Sequence, residues 1–355
     1  MSSPARIVSL DQFRGYTVAG MFLVNFAGGF AVVPAVLKHH HTYCSYADTI
    51  MPQFLFAVGF ALRLVLQRNA RREGAAAALR RAVARSLGLV VLGLVVYQLD
   101  GRFRTWAELV AAGPAGILGN AFWRSPFQTL THIGVTCLWV LPVMLAPART
   151  RLVYAAASGL LHVGLSYLFW YDVLHARRVI DGGLLGFLTW SIPTLAGAWA
   201  CDVVAQRGPA GAVRPLLAWG GALMLAGYGV SCLNQGGTLV PPPFFPPQGP
   251  VDLWTMSQRA GSLSYLVFSA GFAVAVYAAF VWLVDLRGRT SRLLATLGQN
   301  ALAAYLIHLW VDDFVKPLAP RDAPAWWVAA MFALFFALTC AMVHVLNRRG
   351  LFLRL

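Results

Sequence analysis

The chain has 355 residues, of which 59% are hydrophobic and only 12% charged, about half the charged fraction of a soluble domain. That composition excludes an ordinary soluble enzyme and points to an all-α integral membrane protein in a lipid bilayer. A net charge of +15 suggests nucleic acid at first sight. The basic residues instead form short clusters between apolar runs, the pattern of a positive-inside topology rather than of a nucleic-acid surface.

In chain order the apolar segments are Gly15 to Val36, Ile50 to Leu66, Ser86 to Leu99, Thr129 to Leu145, Leu152 to Val173, Leu184 to Val204, Leu216 to Leu233, Leu263 to Leu286, Leu293 to Val311 and Trp326 to Leu346. These predict about ten membrane helices in one bundle, a single domain over 1–355. The third is the shortest and has room to begin in the Ala-rich stretch Gly74 to Ala84. With the N-terminus inside, 19 of the 28 basic residues fall on inner loops, so both termini are expected in the cytoplasm. The first apolar run is too long for a cleavable signal. Two outer loops, 100–128 and 235–262, exceed what a bundle needs, and the aromatics Phe244, Phe245 and Trp254 favour an ordered cap. The five cysteines are scattered without a Cys-x-x-Cys, as small core residues.

Polar groups near or within spans carry the information, since each must be paired, hydrated or functional. Asp11 and Arg14 lie one helical turn apart at the inner entrance of the first span, as an ion pair or as a contact to a phosphate-bearing cofactor. Asn25 lies at mid-depth beside Gly28 and Gly29, suited to helix packing or to polarising a substrate. His39, His40 and His41 follow on the outer side, and a neutral imidazole is the best general base near pH 7. Adjacent histidines without a spaced carboxylate or cysteine argue against a metal. Asp48 fits an N-cap of the second span, with Pro52 in its first turn, and a carboxylate there can orient a histidine. Gln128, Thr131 and His132 open the fourth span. Asn300, Ala304 and His308, at i, i+4 and i+8, share a face of the ninth. His162 and His344 read as structural. No Walker loop, serine elbow or His-Glu-x-x-His helix is present in the sequence.

The run Ser9-Leu10-Asp11-x-x-Arg14-Gly15, then Val24-Asn25, then histidine ahead of Ala47-Asp48-x-x-x-Pro52-x-Phe54-Leu55-Phe56-x-x-Gly59, resembles the heparan-alpha-glucosaminide N-acetyltransferase family of membrane acyltransferases. Gln128-x-x-x-x-Ile133-Gly134, Leu253-Trp254-Thr255 and Gly298-x-Asn300-x-Leu302-x-x-Tyr305-x-x-His308 add to the resemblance. It implies transfer of an acetyl group from cytoplasmic acetyl-CoA to an amino sugar or other carbohydrate acceptor outside, by a histidine assisted by Asn25. Aligning His40-His41-Thr42-Tyr43 with the family's His-x-x-Trp puts His40 first as catalyst and His39 second, with Asp48 as orienter. Tyr43-Cys44-Ser45 replaces the family's Trp-x-Gly, which turns the expected acceptor toward a bacterial envelope glycan. Asp11, Arg14, Asn300 and His308 are then expected to bind the acyl-CoA, and His41, Gln128, His132 and Trp254 the acceptor, with no metal and a homodimer left open. The expected location is a bacterial inner (plasma) membrane. The rival reading is a proton-coupled permease relaying protons through Asp48, His132 and His308. A transferase needs a path from the arginine-rich inner face to the outer histidines, whereas a permease needs a closable midplane site.

Overall fold

The computed structural model describes residues 7–98, 105–123, 128–176, 179–235, 239–246 and 251–353. All regular structure among them is helical. The helices are α1 (Val8–Ala27), α2 (Tyr46–Glu73), α3 (Ala75–Gln98), α4 (Trp106–Trp123), α5 (Thr129–Met144), α6 (Ala148–Leu165) and α7 (Tyr171–Ala176). They continue as α8 (Phe187–Ser231), α9 (Leu263–Phe280), α10 (Arg292–Gln299), α11 (Ala301–Val315) and α12 (Ala325–Arg348). Among the described residues, five helical stretches are long and apolar enough to cross a membrane, which makes this an integral membrane protein.

Each expected apolar segment contains helix, but the first overruns it: α1 ends at Ala27, residues 28–34 form turns, and Asn25 therefore lies near the end of α1 rather than at mid-depth. α1 starts seven residues before Gly15, because Asp11 and Gln12 are buried in its first turns against α10. Gln12 Nε2 donates to Ser291 O at 3.0 Å, and Ser291 N donates back to Gln12 Oε1 at 3.1 Å. α3 does begin in the Ala-rich stretch, directly after Gly74, whose φ of 86° ends α2. The loop expected over 100–128 contains α4, an Ala- and Leu-containing helix interrupted at Gly113 and Pro114. The segments expected at 184–204 and 216–233 form the two limbs of α8, broken at Gly208 (φ 65°) before Pro209. Proline cannot donate the next helical bond, and glycine takes the left-handed angle at no steric cost.

Glycines set the closest helix crossings. A Cβ on Gly59 would collide with the Thr194 carbonyl of α8, and one on Gly197 with the Phe56 carbonyl of α2, so the two backbones touch reciprocally. Gly15 and Gly298 do the same for α1 and α10, against Leu294 O and Asp11 O. Phe13, Phe56, Phe60 and Tyr277 fill the core between α1, α2 and α9 with edge-on ring contacts. These contacts fix α1 beside α2, and the candidate site lies between them.

Candidate active site

Ser45 ends the loop after α1 and caps α2. Its hydroxyl accepts from Asp48 N at 3.3 Å, while Asp48 Oδ2 accepts from Ser45 N at 2.9 Å, a reciprocal capping box. Asp48 is therefore the third helical residue rather than the N-cap, and Pro52 sits in the second turn. The missing N–H of Pro52 leaves the Asp48 carbonyl without its helical donor, and Tyr265 Oη from α9 donates to it at 2.6 Å. The side chain of Asp48 is fully buried, and its position is thus fixed by both backbone and neighbours.

His39 Nδ1 donates to Asp48 Oδ1 at 2.9 Å. In the neutral ring Nε2 is then the acceptor nitrogen. His39 lines two cavities at once: a cleft of about 460 Å³ shared with Asn25, His40, His308, Asp312 and Lys316, and a cavity of about 260 Å³ shared with Asn25, His41, Asp181 and Gln258. Burial lowers the pKa of His39, but the hydrogen bond and charge of Asp48, with the charge of Asp181, overcome it and leave the pKa above 6.5. His41 moves the other way, lowered by burial and by Arg259. His40 is held differently. Its Nε2 donates to Ala35 O at 2.7 Å, its ring stacks on Tyr43 at 4.2 Å, and its backbone N reaches Asp48 Oδ2 at 3.4 Å.

Asn25 stands in the walls of both cavities. Its Nδ2 donates to His308 Nε2 at 3.3 Å, and His308 Nδ1 donates to Tyr305 O. That leaves a second Asn25 N–H for a ligand. Lys316 Nζ donates to Asn25 O at 3.1 Å and to Asp312 Oδ2 at 3.0 Å, tying α11 to the end of α1.

A third cavity, of about 280 Å³, lies toward the other end of α1 and α2 and is lined by Arg14, Arg81 and Arg85 among apolar residues. Ala57, Val58, Ala61 and Leu62 line it from α2, while Ala47, Ile50, Met51 and Phe54 line the cavity at His39. These positions share one face of α2, and Phe54 and Ala57 are separated by about 4.5 Å of helix axis. The arginine cavity and the histidine cavity thus follow one another along the same face of α2 as two separate pockets.

The other expected residues are placed unevenly. Arg14 lines the arginine cavity, whereas Asp11 is buried in the first turn of α1. Asn300 does not join His308 in one site: it breaks the helix between α10 and α11, donating to Thr296 O and Asn347 Oδ1, each at 3.0 Å. His308 lies eight residues on, at the histidine end. Gln128 occupies the N-cap position of α5 without a capping side-chain bond and lines neither histidine cavity. Buried His132 lines neither cavity and donates through Nε2, at 2.8 Å, to the carbonyl of Asp181, which lines the second. Trp254 also lies off both cavities, its backbone in a turn on Asp252 Oδ1. Asp181 and Gln258 carried no signal in sequence, since a lone Asp and a lone Gln in loops 77 residues apart meet only in three dimensions. Also absent from the sequence reading is a buried cluster at the other end of the bundle. There Arg63 and Arg151 share the carboxylate of Asp202, with Gln67 Nε2 at 3.3 Å. Among the described residues no group of three His, Cys, Asp or Glu side chains is arranged to hold a metal.

A buried carboxylate holding a histidine that lines two cavities, inside an apolar helical bundle, is an arrangement suited to acid–base chemistry in a membrane-embedded protein. The sequence model of the heparan-alpha-glucosaminide N-acetyltransferase catalytic domain matches residues 6–230, more than half of the chain. The protein belongs to that family and is by family an acetyltransferase. No curated protein matches the chain.

Proposed function

We propose that the protein, as one domain of about ten spans with both termini cytoplasmic, takes an acetyl group from acetyl-CoA at its arginine-rich inner end. It delivers that group to an amine of a carbohydrate at the outer end, in a bacterial plasma membrane. The observation that carries this reading is His39, held through Nδ1 by buried Asp48 and facing two cavities, with Arg14, Arg81 and Arg85 lining a separate cavity farther along the same face of α2. Guanidinium groups suit the phosphates of CoA, with charge-assisted bonds about twice as strong as neutral ones. The apolar stretch Ile50, Met51, Phe54 and Ala57 suits the uncharged arm that joins those phosphates to the thioester.

The thioester is already activated, so the residues need only remove a proton from the acceptor and stabilise an oxyanion. His39 Nε2 is the base, Asp48 holds its tautomer and stabilises the imidazolium, and the free N–H of Asn25 donates to the oxyanion. The geometry favours His39 over His40, whose Nε2 is engaged by a backbone carbonyl. His41 and the open cleft beside Lys316 are the acceptor side.

The test is proteoliposomes with labelled acetyl-CoA outside and an amino sugar trapped inside. The expected result is labelled N-acetyl sugar inside, from the fraction of molecules whose arginine end faces out. Entry of unmodified solute with no acetylated product would favour the permease, and product formed only on the acetyl-CoA side would overturn transfer across the bilayer.

A further inference from the structure

An amine that arrives protonated must shed two protons to become an amide nitrogen, and the His39–Asp48 pair takes one at a time. The cavity beside His39 contains a second carboxylate that the reading above leaves unused. Asp181 is 2% exposed, and Gln258 Nε2 donates to its Oδ1 at 3.1 Å. Its backbone is in the left-handed region at φ 53°, and Gly182 (φ 75°) and Gly183 (φ 58°) continue the bend.

For a non-glycine residue that conformation is costly and persists only where surroundings impose it. Here two ring N–H groups impose it: His132 Nε2 and Trp190 Nε1 each donate to the Asp181 carbonyl at 2.8 Å. Gly182 N is further clasped by Arg259 O at 3.0 Å, and a Cβ on Gly186 would collide with the Asp181 carbonyl. Buried His132 and Trp190 thus serve to aim this loop, and what the loop carries into the cavity is a carboxylate.

We propose that Asp181 is a second base of the site, accepting the first proton from an acceptor that binds as an ammonium ion. This rests on the acetyltransfer reading above and narrows the acceptor to an amine rather than a hydroxyl. The step balances as follows. The ammonium gives one proton to the Asp181 carboxylate, and the neutral amine attacks the thioester carbonyl, forming C–N. His39 Nε2 takes the second N–H proton, the C–S bond breaks, and the leaving thiolate recovers that proton from His39 as CoA thiol. One proton remains on Asp181 and leaves to water, so the sum is ammonium plus acetyl thioester giving amide, thiol and a proton. Burial raises the Asp181 pKa to about 6, although Gln258 and His39 oppose it, a range in which a carboxylate both takes and releases a proton near neutrality. Charged and titratable groups around it are His39, His41 and Asp48 from the α1–α2 segment, Tyr97 from α3, His132 from α5, Arg259 from the loop before α9, and Tyr265 from α9.

The test compares the full-length wild type with Asp181→Asn in CoA release from acetyl-CoA, between pH 6 and 9. Two acceptors are used, an amino sugar and a hydrazide whose nitrogen is neutral throughout. Asparagine tolerates the left-handed angle, and Gln258→Ala, which frees the carboxylate without removing it, serves as a second variant. With the amino sugar, Asp181→Asn should lose about a hundredfold at pH 6.5, the low end of general-base contributions. The loss should shrink to less than about threefold above the amine pKa, which for such amines is about 8. With the hydrazide the variant should stay within about threefold at every pH, and Gln258→Ala should retain the wild-type preference between acceptors. An equal, pH-independent loss with both acceptors would overturn the role of Asp181 and leave acetyltransfer standing. A wild type that releases no CoA with either acceptor would overturn the acetyltransfer reading and this proposal with it.

Discussion

Replacing Asp48 by Asn is the most informative single perturbation of the site. The carboxylate accepts from His39 Nδ1, Ser45 N and His40 N, at 2.9, 2.9 and 3.4 Å, and it is the main group holding the His39 pKa above 6.5 against the lowering effect of burial. A hydrogen bond to a charged group contributes about 1.5–3 kcal/mol. The His39 side chain is 40% exposed, so solvent screening puts the effect at the low end, a fall of about one pH unit at 1.36 kcal/mol per unit.

The sign follows from the roles. A base works only when neutral, so wild-type kcat/KM should rise with pH through a midpoint above 6.5, and the Asp48→Asn midpoint should fall below it. The plateau should drop as well, by about 10²–10⁴-fold, because an amide can hold the wrong tautomer of His39. The pH profile of CoA release, read with a thiol reagent on purified protein, measures both. Stability is a separate readout: half of the α2 capping box is lost, at about 1 kcal/mol. Native His39, with its raised pKa, contributes stability that is full below pH 6.5 and fades as pH rises through its folded value. An Asp48→Asn variant with an unshifted midpoint and an unchanged plateau would refute the reasoning.

Asn25→Ala should lower kcat by about 10²–10³-fold, the cost of one oxyanion donor, while calorimetry finds acetyl-CoA binding within about threefold of wild type. Arg81→Gln combined with Arg85→Gln should raise KM for acetyl-CoA by about tenfold or more, at roughly 1.4 kcal/mol per decade, with little change in kcat. Gly59→Ala should destabilise by at least about 1–3 kcal/mol, seen as a lower Tm in detergent, because its Cβ meets the backbone of α8 rather than a movable side chain. Asp202→Asn leaves two buried guanidinium groups without their anion and should destabilise by about 3–5 kcal/mol in the same assay.

Apolar runs made the helices legible, because a bilayer demands long apolar stretches and tolerates few charges. Helix ends were less so. Asp11 and Arg14 read as a polar entrance, yet Asp11 lies buried within α1, whose Gln12 exchanges two hydrogen bonds with Ser291 at the start of α10. The His39–Asp48 pair was within reach of sequence because nine residues connect a loop histidine to the start of a helix. The engagement of His40 was not, since its 2.7 Å bond to the Ala35 carbonyl is something spacing alone does not determine. Asp181 and the Arg63–Asp202–Arg151 cluster were invisible for the same reason: the partners of their carboxylates lie 51 to 139 residues away. Asn300 and His308 shared a face on an ideal helix, but the helix breaks at Asn300 and the two side chains end among different neighbours.

The claim that His39 is the base is tested most directly by acceptor-dependent CoA release from His39→Ala, His40→Ala and His41→Ala beside wild type. The account predicts loss of release in His39→Ala alone, with His40→Ala and His41→Ala retaining measurable turnover. Full activity in His39→Ala, or its abolition only in His40→Ala, would contradict it.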